Sequence, residues 1–246
     1  MTGCSRQSDI FEDDLSYRYE NGMEYFDSEK YSKAETEFTL IIQNNPGSSI
    51  ALEAQYYLAE SIYFQERYAE AEVEYDRYIR FSNDVQKIEK ARFRSCECAY
   101  MSTNEYLFDQ GYSAELLDKL QFFIEEYPGS EFGEEIISYM HNVRRRLAQK
   151  EYETARLYLK LKEFESARIY FQNVVDNYYD TDFADEARIS IIFSYLLDGD
   201  LETAQNSFTA QKNKFTREEK ISIAKSLIEE LENGKMSLAH YIRLYK

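Results

Sequence analysis

The sequence predicts an all-α solenoid of about five helical hairpins, closed by a C-terminal capping helix. Helix breakers are rare, with 8 glycines and 2 prolines in 246 residues, which favours long helices and short turns over many β-turns. Hydrophobic residues make up 43% of the chain and recur at helical spacing. A pattern of small and bulky side chains also returns along the chain, which is the mark of a repeat architecture.

The first repeat lies between Tyr19 and Gly47. Its two helices are predicted near residues 14–27 and 31–44, with a polar turn between them. Gly22 and Ala34 fall where the two helices would cross closely, and Phe38 supplies a bulky side chain beside them. A Pro-Gly pair then ends the second helix, since glycine accepts the left-handed residue after a helix and proline cannot continue one.

The same pattern recurs in the later repeats. The interval between Ala34 and Ala71 is 37 residues, and the same interval separates Ala167 from Ala204. Leu116 takes the equivalent place in a longer third repeat. This arrangement resembles tetratricopeptide (TPR) repeats, which stack into a right-handed superhelix with a concave face formed by the first helix of each hairpin.

The chain is predicted to divide into three parts. Residues 1–13 are polar and form a flexible leader or tether. Residues 14–130 hold TPR repeats 1 to 3. Residues 131–246 hold repeats 4 and 5 plus the capping helix, which is expected to begin at a capping box from Thr216 to Glu219.

Charge and composition narrow the function classes. The formal charge is −17, from 46 acidic and 29 basic residues, which argues against nucleic acid and against a broad anionic-lipid footprint. No phosphate loop, nucleophile elbow or metal-ligand spacing is present, and His141 and His240 are far apart in sequence. We therefore expect no catalysis, no metal and no cofactor.

Three cysteines are too few for a disulfide framework. Cys96 and Cys98 lie on a predicted helix and are expected to be small core residues. Cys4 follows Gly3 near the start, and Gly-Cys after a small residue resembles the end of a bacterial lipoprotein signal. Cys4 is therefore the candidate lipidation site, with a chance cysteine in a polar leader as the alternative.

Taken together, these features resemble the BamD family of outer-membrane lipoproteins, which belong to the β-barrel assembly (BAM) machinery. The resemblance rests on TPR-like hairpins after Cys4, on Tyr127-Pro128-Gly129-Ser130, and on the run from Arg146 to Glu151 before Ala155. The sequence departs from the family at Tyr179, where a proline is usual.

The resemblance implies a non-catalytic scaffold on the periplasmic side of the outer membrane, attached only by its lipid. Its C-terminal repeats would bind the periplasmic domains of the barrel-forming subunit, and its N-terminal repeats would receive unfolded outer-membrane proteins. A TPR adaptor of another envelope complex or of the cytosol is the alternative.

Two sets of residues are candidate contact sites. Inner-helix positions of the first two repeats could accept an aromatic, extended peptide, although several of these rings could instead pack between repeats. These positions are Tyr19, Met23, Phe26, Tyr56, Glu60, Tyr63 and Phe64. Arg144, Arg145 and Arg146 could pair with an acidic partner, with pairing to nearby acidic residues as the alternative.

Overall fold

We describe the fold from a computed structural model, which describes residues 5–103 and 110–233, with side chains from residue 15 to 103 and from 112 to 233. Those residues form eleven α-helices and one short 3₁₀ turn, and no β-strand occurs among them. The helices are α1 (Ser5–Asp27), α2 (Tyr31–Asn44), α3 (Ser49–Tyr63), α4 (Tyr68–Phe81), α5 (Val85–Ser102), α6 (Gln110–Glu126), α7 (Gly133–Lys160), α8 (Phe164–Asn177), α9 (Phe183–Asp198), α10 (Leu201–Gln211) and α11 (Glu218–Glu232).

The chain divides into two compact units, Met1–Met140 and His141–Lys246. The N-terminal unit holds α1 to α6 and the start of α7, and the C-terminal unit holds the remainder of α7 and the helices that follow. The division therefore lies inside α7, later than the boundary at residue 130 that the sequence predicted. The predicted long helix is confirmed, because α7 has 28 residues.

The predicted all-α fold of TPR-type hairpins is confirmed, and its small residues are core residues in both units. Ala34, Ala71, Ala167 and Ala204 each have 0% of their surface exposed. A methyl group built on Gly22 would come within 2.7 Å of the ring of a fully buried phenylalanine, so α1 and α2 do approach closely at this glycine. A small side chain at each of these places lets a bulky side chain of the paired helix pack close to the backbone.

Four of the hairpin turns share one backbone geometry. Glu29, Glu66, Lys162 and Gly199 have φ between 59° and 83°, in the left-handed region. In each of these turns the N–H of the next residue donates to the carbonyl five residues earlier, as in Lys30 to Tyr25 at 2.8 Å. This hydrogen bond is typical of the Schellman motif, so the first helices of these four hairpins end in the same way.

The beginning of the chain differs from the prediction. The structure starts α1 at Ser5, whereas the sequence placed a flexible leader up to residue 13. No glycine or proline occurs between Ser5 and Gly22, so nothing local interrupts the helix there. Cys4 and its predicted lipidation lie outside the described residues.

The predicted capping box before the last helix is wrong. Helix α11 begins at Glu218, and the residue before it makes no side-chain cap. The Thr216 hydroxyl instead donates to Asp185 of α9 at 2.8 Å. The Thr216 hydroxyl is thus hydrogen-bonded to a buried carboxylate on another helix and does not cap α11.

Cys96 and Cys98 are free and fully buried, which confirms the prediction that they are core residues. Burial raises the pKa of Cys96 to about 12, so its thiol stays protonated at neutral pH.

Candidate peptide-binding face

The seven predicted peptide-contacting residues all belong to the N-terminal unit, on α1, on α3 and just after α3. Tyr19, Met23 and Phe26 follow one another at helical spacing on α1. Tyr56, Glu60 and Tyr63 do the same on α3, and Phe64 is its C-cap. We call these seven residues the aromatic face.

Rings of this face contact one another across the first two hairpins. The Phe26 ring centre lies 5.5 Å from that of Tyr57 and 5.8 Å from that of Phe64. Phe64 also stacks on Tyr31 at 4.9 Å. Such ring pairs contribute about 0.5–1.5 kcal/mol beyond the burial of their area. The predicted alternative, that several rings pack between repeats, therefore describes part of what these side chains do.

Exposure separates the residues that can meet a ligand from those that support them. Phe64 is 42% exposed, whereas Tyr56 and Glu60 are each only 5% exposed. Tyr19, Met23, Phe26 and Tyr63 are half-buried. Tyr56 and Glu60 are thus buried members of the aromatic face, and its half-buried and exposed members offer the accessible surface.

A charged network lies beneath the aromatic face. The Tyr75 hydroxyl donates to Glu60 at 2.6 Å. Arg94 of α5 donates to Glu97 at 2.7 Å, and its Nε lies 3.6 Å from Glu60. The Arg94 guanidinium also lies over the Tyr63 ring, 4.4 Å from its centre. Arg94 therefore fixes both a ring of the face and two buried carboxylates.

The network continues to the start of α7. The Tyr139 hydroxyl donates to Glu135 at 2.6 Å and lies 3.5 Å from Glu97, and its ring stacks on Tyr100 at 4.2 Å. Burial raises the pKa of Tyr63, and the negative charge of Glu97 raises it further. These phenols consequently remain neutral hydrogen-bond donors at physiological pH.

Sequence reasoning missed Arg94 and Glu97. Their spacing of three residues on α5 was a usable signal, because an oppositely charged pair at that spacing meets on one helix face. Glu97 also stands between two cysteines that the sequence assigned to the core. A carboxylate at such a place needs a partner, and Arg94 is that partner.

The arginine triplet lies in the C-terminal unit and is engaged within it. Arg144 donates to both carboxylate oxygens of Asp180, at 2.6 and 2.9 Å, and to the Asn177 carbonyl at 2.8 Å. Arg145 pairs with Asp182 at 3.1 Å, and Arg146 is half-buried. Two of the three arginines thus fasten the turn between α8 and α9.

Within the described ranges, no group of three or more His, Cys, Asp or Glu side chains is arranged to hold a metal ion. His141 is exposed, and His240 lies outside those ranges. None of the described helices combines the length and apolar character needed to cross a membrane.

Comparison with known proteins matches residues 12–212 to the family model described as YfiO, outer membrane lipoprotein. A relative from Rickettsia prowazekii (strain Madrid E), named outer membrane protein assembly factor BamD, is 25% identical over 235 residues, covering 95% of this chain and 94% of the relative. A protein of the same name from Caulobacter vibrioides is 23% identical over 189 residues, covering 77% of this chain and 62% of that protein.

Two solved TPR structures are also similar. A thermophilic TPR protein of Thermus thermophilus aligns with a TM-score of 0.36 at 15% identity, over 87% of this chain and 98% of that one. The TPR2AB domain of yeast Sti1 aligns with a TM-score of 0.40 at 12% identity, over 95% of this chain and 98% of that one. On the family match, which spans most of its length, the chain belongs to the YfiO family of outer membrane lipoproteins.

Proposed function

We propose that this protein is a non-catalytic assembly factor for outer-membrane proteins. Membership of the YfiO family is the observation that carries the proposal, and the names of the two relatives support it. Stacked helical hairpins suit this role, because they present extended surfaces for other polypeptides.

In this proposal the protein is held at the periplasmic side of the outer membrane by a lipid on Cys4. A single acyl chain gives only marginal membrane binding, so stable anchoring by the lipid alone requires that it carry more than one chain. The formal charge of −17 is consistent with attachment through the lipid alone, because the surface does not favour anionic headgroups.

The two units have separate tasks in this proposal. The accessible members of the aromatic face, with Phe64 the most exposed, contact unfolded outer-membrane proteins. The C-terminal unit binds the periplasmic domains of the barrel-forming subunit. The arginine triplet contributes to that contact. An extended, aromatic-rich segment gains ring stacking and apolar burial on such a face.

Metabolic labelling tests the anchor. The gene is expressed with its natural upstream sequence in the cells it comes from, in the presence of radioactive palmitate. The protein is expected to take up label and the Cys4→Ala variant to remain unlabelled. An unlabelled wild-type protein, or a label that persists in Cys4→Ala, would remove the anchor from the proposal.

Affinity purification of the same protein from solubilised membranes tests its partners. A β-barrel protein with soluble N-terminal domains should co-purify. If only cytosolic proteins or another envelope complex are recovered, the protein is an adaptor of a different machinery.

A further inference from the structure

The accessible aromatic face borders a network with more carboxylates than cations. Besides Tyr75, the network includes Glu60, Arg94, Glu97, Glu135 and Tyr139, linked by the contacts given above. It contains three carboxylates and one guanidinium, so its net charge is negative when all four groups are ionised. All of these residues belong to the N-terminal unit, as does the aromatic face.

The single guanidinium of this network already has acidic partners. Its Nε makes no hydrogen bond, but that atom is buried and closed to solvent. Arg94 hydrogen-bonds Glu97 at 2.7 Å, lies 3.6 Å from Glu60 and covers the Tyr63 ring. Its side chain is only 21% exposed. An incoming carboxylate would have to displace one of two buried acidic partners to reach it, which costs more than an exposed ion pair returns.

The lysine near the start of α5 does not change this balance. Lys87 lies 5.7 Å from the centre of the Tyr56 ring and is paired with Glu53. That pair is neutral, so the negative charge of the network is left uncompensated. Charges near an approaching ligand act over about 8 Å at physiological ionic strength.

Polar atoms in the network remain open to a hydrogen-bonding or cationic group. Glu135 is exposed, and one of its oxygens accepts from Tyr139. Burial raises the pKa of Tyr139, and its hydrogen bond to Glu135 and the charge of Glu97 add to that rise.

We infer that the aromatic face selects polypeptide segments that carry a lysine or arginine beside aromatic side chains, with Glu135 as the carboxylate that meets the basic group. Complementary charge carries this choice of ligand: the rings accept aromatic side chains, and the network attracts an ammonium or guanidinium and repels a carboxylate. The inference rests on the proposed function and defines which unfolded segments the face prefers.

Three fluorescein-labelled, C-terminally amidated peptides test this selectivity by fluorescence anisotropy with the full chain. They share two phenylalanines in a glycine-serine frame and differ in one residue between the rings, which is lysine, norleucine or glutamate. In 50 mM salt we expect the lysine peptide to bind about tenfold more tightly than the glutamate peptide, with norleucine between them. The difference should shrink in 0.5 M salt.

Glu135→Gln supplies the decisive variant, because it keeps an acceptor for Tyr139 and removes only the charge. We expect it to reduce the preference for lysine over glutamate about three- to fivefold. Glu134→Gln is the matched control, since Glu134 is an exposed neighbour in the same helical turn. It should change the preference by less than about twofold.

Each outcome separates the inference from the proposed function. Equal binding of the three peptides, or an equal effect of both glutamine variants, overturns the selectivity and leaves the aromatic face as a peptide site. Tighter binding of the glutamate peptide overturns the selectivity as well. If none of the peptides binds, the proposed peptide face fails and the selectivity fails with it.

Discussion

Each of the four similar hairpin turns contains one residue in the left-handed conformation. At these positions the type of side chain directly affects the stability of the fold. Glu29, Glu66 and Lys162 adopt φ values near 60° although they carry a Cβ, and only Gly199 has the residue type that suits this region. A left-handed conformation costs an L-residue about 1–2 kcal/mol. The hydrogen bonds of these turns therefore offset the conformational cost of the left-handed residue.

Lys162→Gly should stabilise the protein by about 0.5–1 kcal/mol. It removes the strain of a Cβ in the left-handed region, and this gain exceeds the cost of the higher entropy of the unfolded chain. Gly199→Ala at the equivalent turn should destabilise it by about 1 kcal/mol. Thermal unfolding followed by circular dichroism compares the two variants. Shifts of the same sign in both variants would contradict this view of the turns.

Gly22→Ala should destabilise the protein by about 1–2 kcal/mol. The new Cβ would lie 2.7 Å from a ring atom of Phe38, which has no room to move because the ring is fully buried. This overpacking outweighs the better helix propensity of alanine. Gly133→Ala, which has nothing within 4 Å of the new Cβ, is the control and should be neutral or stabilising in urea unfolding.

At the scale of elements, one carboxylate connects α9 to the start of α11. Asp185 is 1% exposed and pairs with Arg188 at 2.9 Å. It also accepts from the backbone N–H groups of Thr216 and Arg217, at 3.0 and 3.1 Å. The capping helix is thus oriented by a buried side chain far away in sequence.

Asp185→Asn should destabilise the C-terminal unit by about 3 kcal/mol, because it leaves the buried Arg188 without a charged partner. Thr216→Val removes one hydrogen bond and should cost only about 1 kcal/mol. Hydrogen exchange should rise first in residues 215–232 of Asp185→Asn. An unchanged exchange rate in that segment would show that α11 is held by its apolar contacts alone.

The pair between Arg144 and Asp180 gives a pH prediction for the turn between α8 and α9. Hydrogen bonds from Arg144 lower the pKa of Asp180 in the folded protein. Because the folded pKa lies below the unfolded value of about 3.9, the stabilisation is complete above that value and disappears as pH falls through the folded pKa.

The stability difference between the wild type and Asp180→Asn should therefore be flat from about pH 5 to 8 and shrink below about pH 4. It should not exceed about 1 kcal/mol, since both side chains are partly exposed. Urea unfolding at several pH values measures it. A difference that grows on acidification would contradict the assignment of this pair.

At the scale of the whole molecule, the repeats could be predicted from sequence because their packing rule is local. Ala71 and Tyr75 lie one helical turn apart, so one short window records both the small and the bulky position. The network around Arg94 could not be predicted in the same way. It joins side chains of α3, α4, α5 and α7, which only the stacking of hairpins brings together. The capping box predicted at Thr216 was wrong for the same reason, because the hydrogen-bond partner of Thr216 is on α9.

Binding of an unfolded outer-membrane β-barrel protein tests the central claim most directly. The labelled substrate is diluted from urea into the full chain, and its affinity is compared between the wild type and two variants. Phe64→Ala, on the aromatic face, should weaken binding about five- to tenfold. Tyr179→Ala, which removes a 64% exposed ring from the C-terminal unit, should leave it unchanged. Equal affinities for all three proteins, or a loss in Tyr179→Ala alone, would contradict the account.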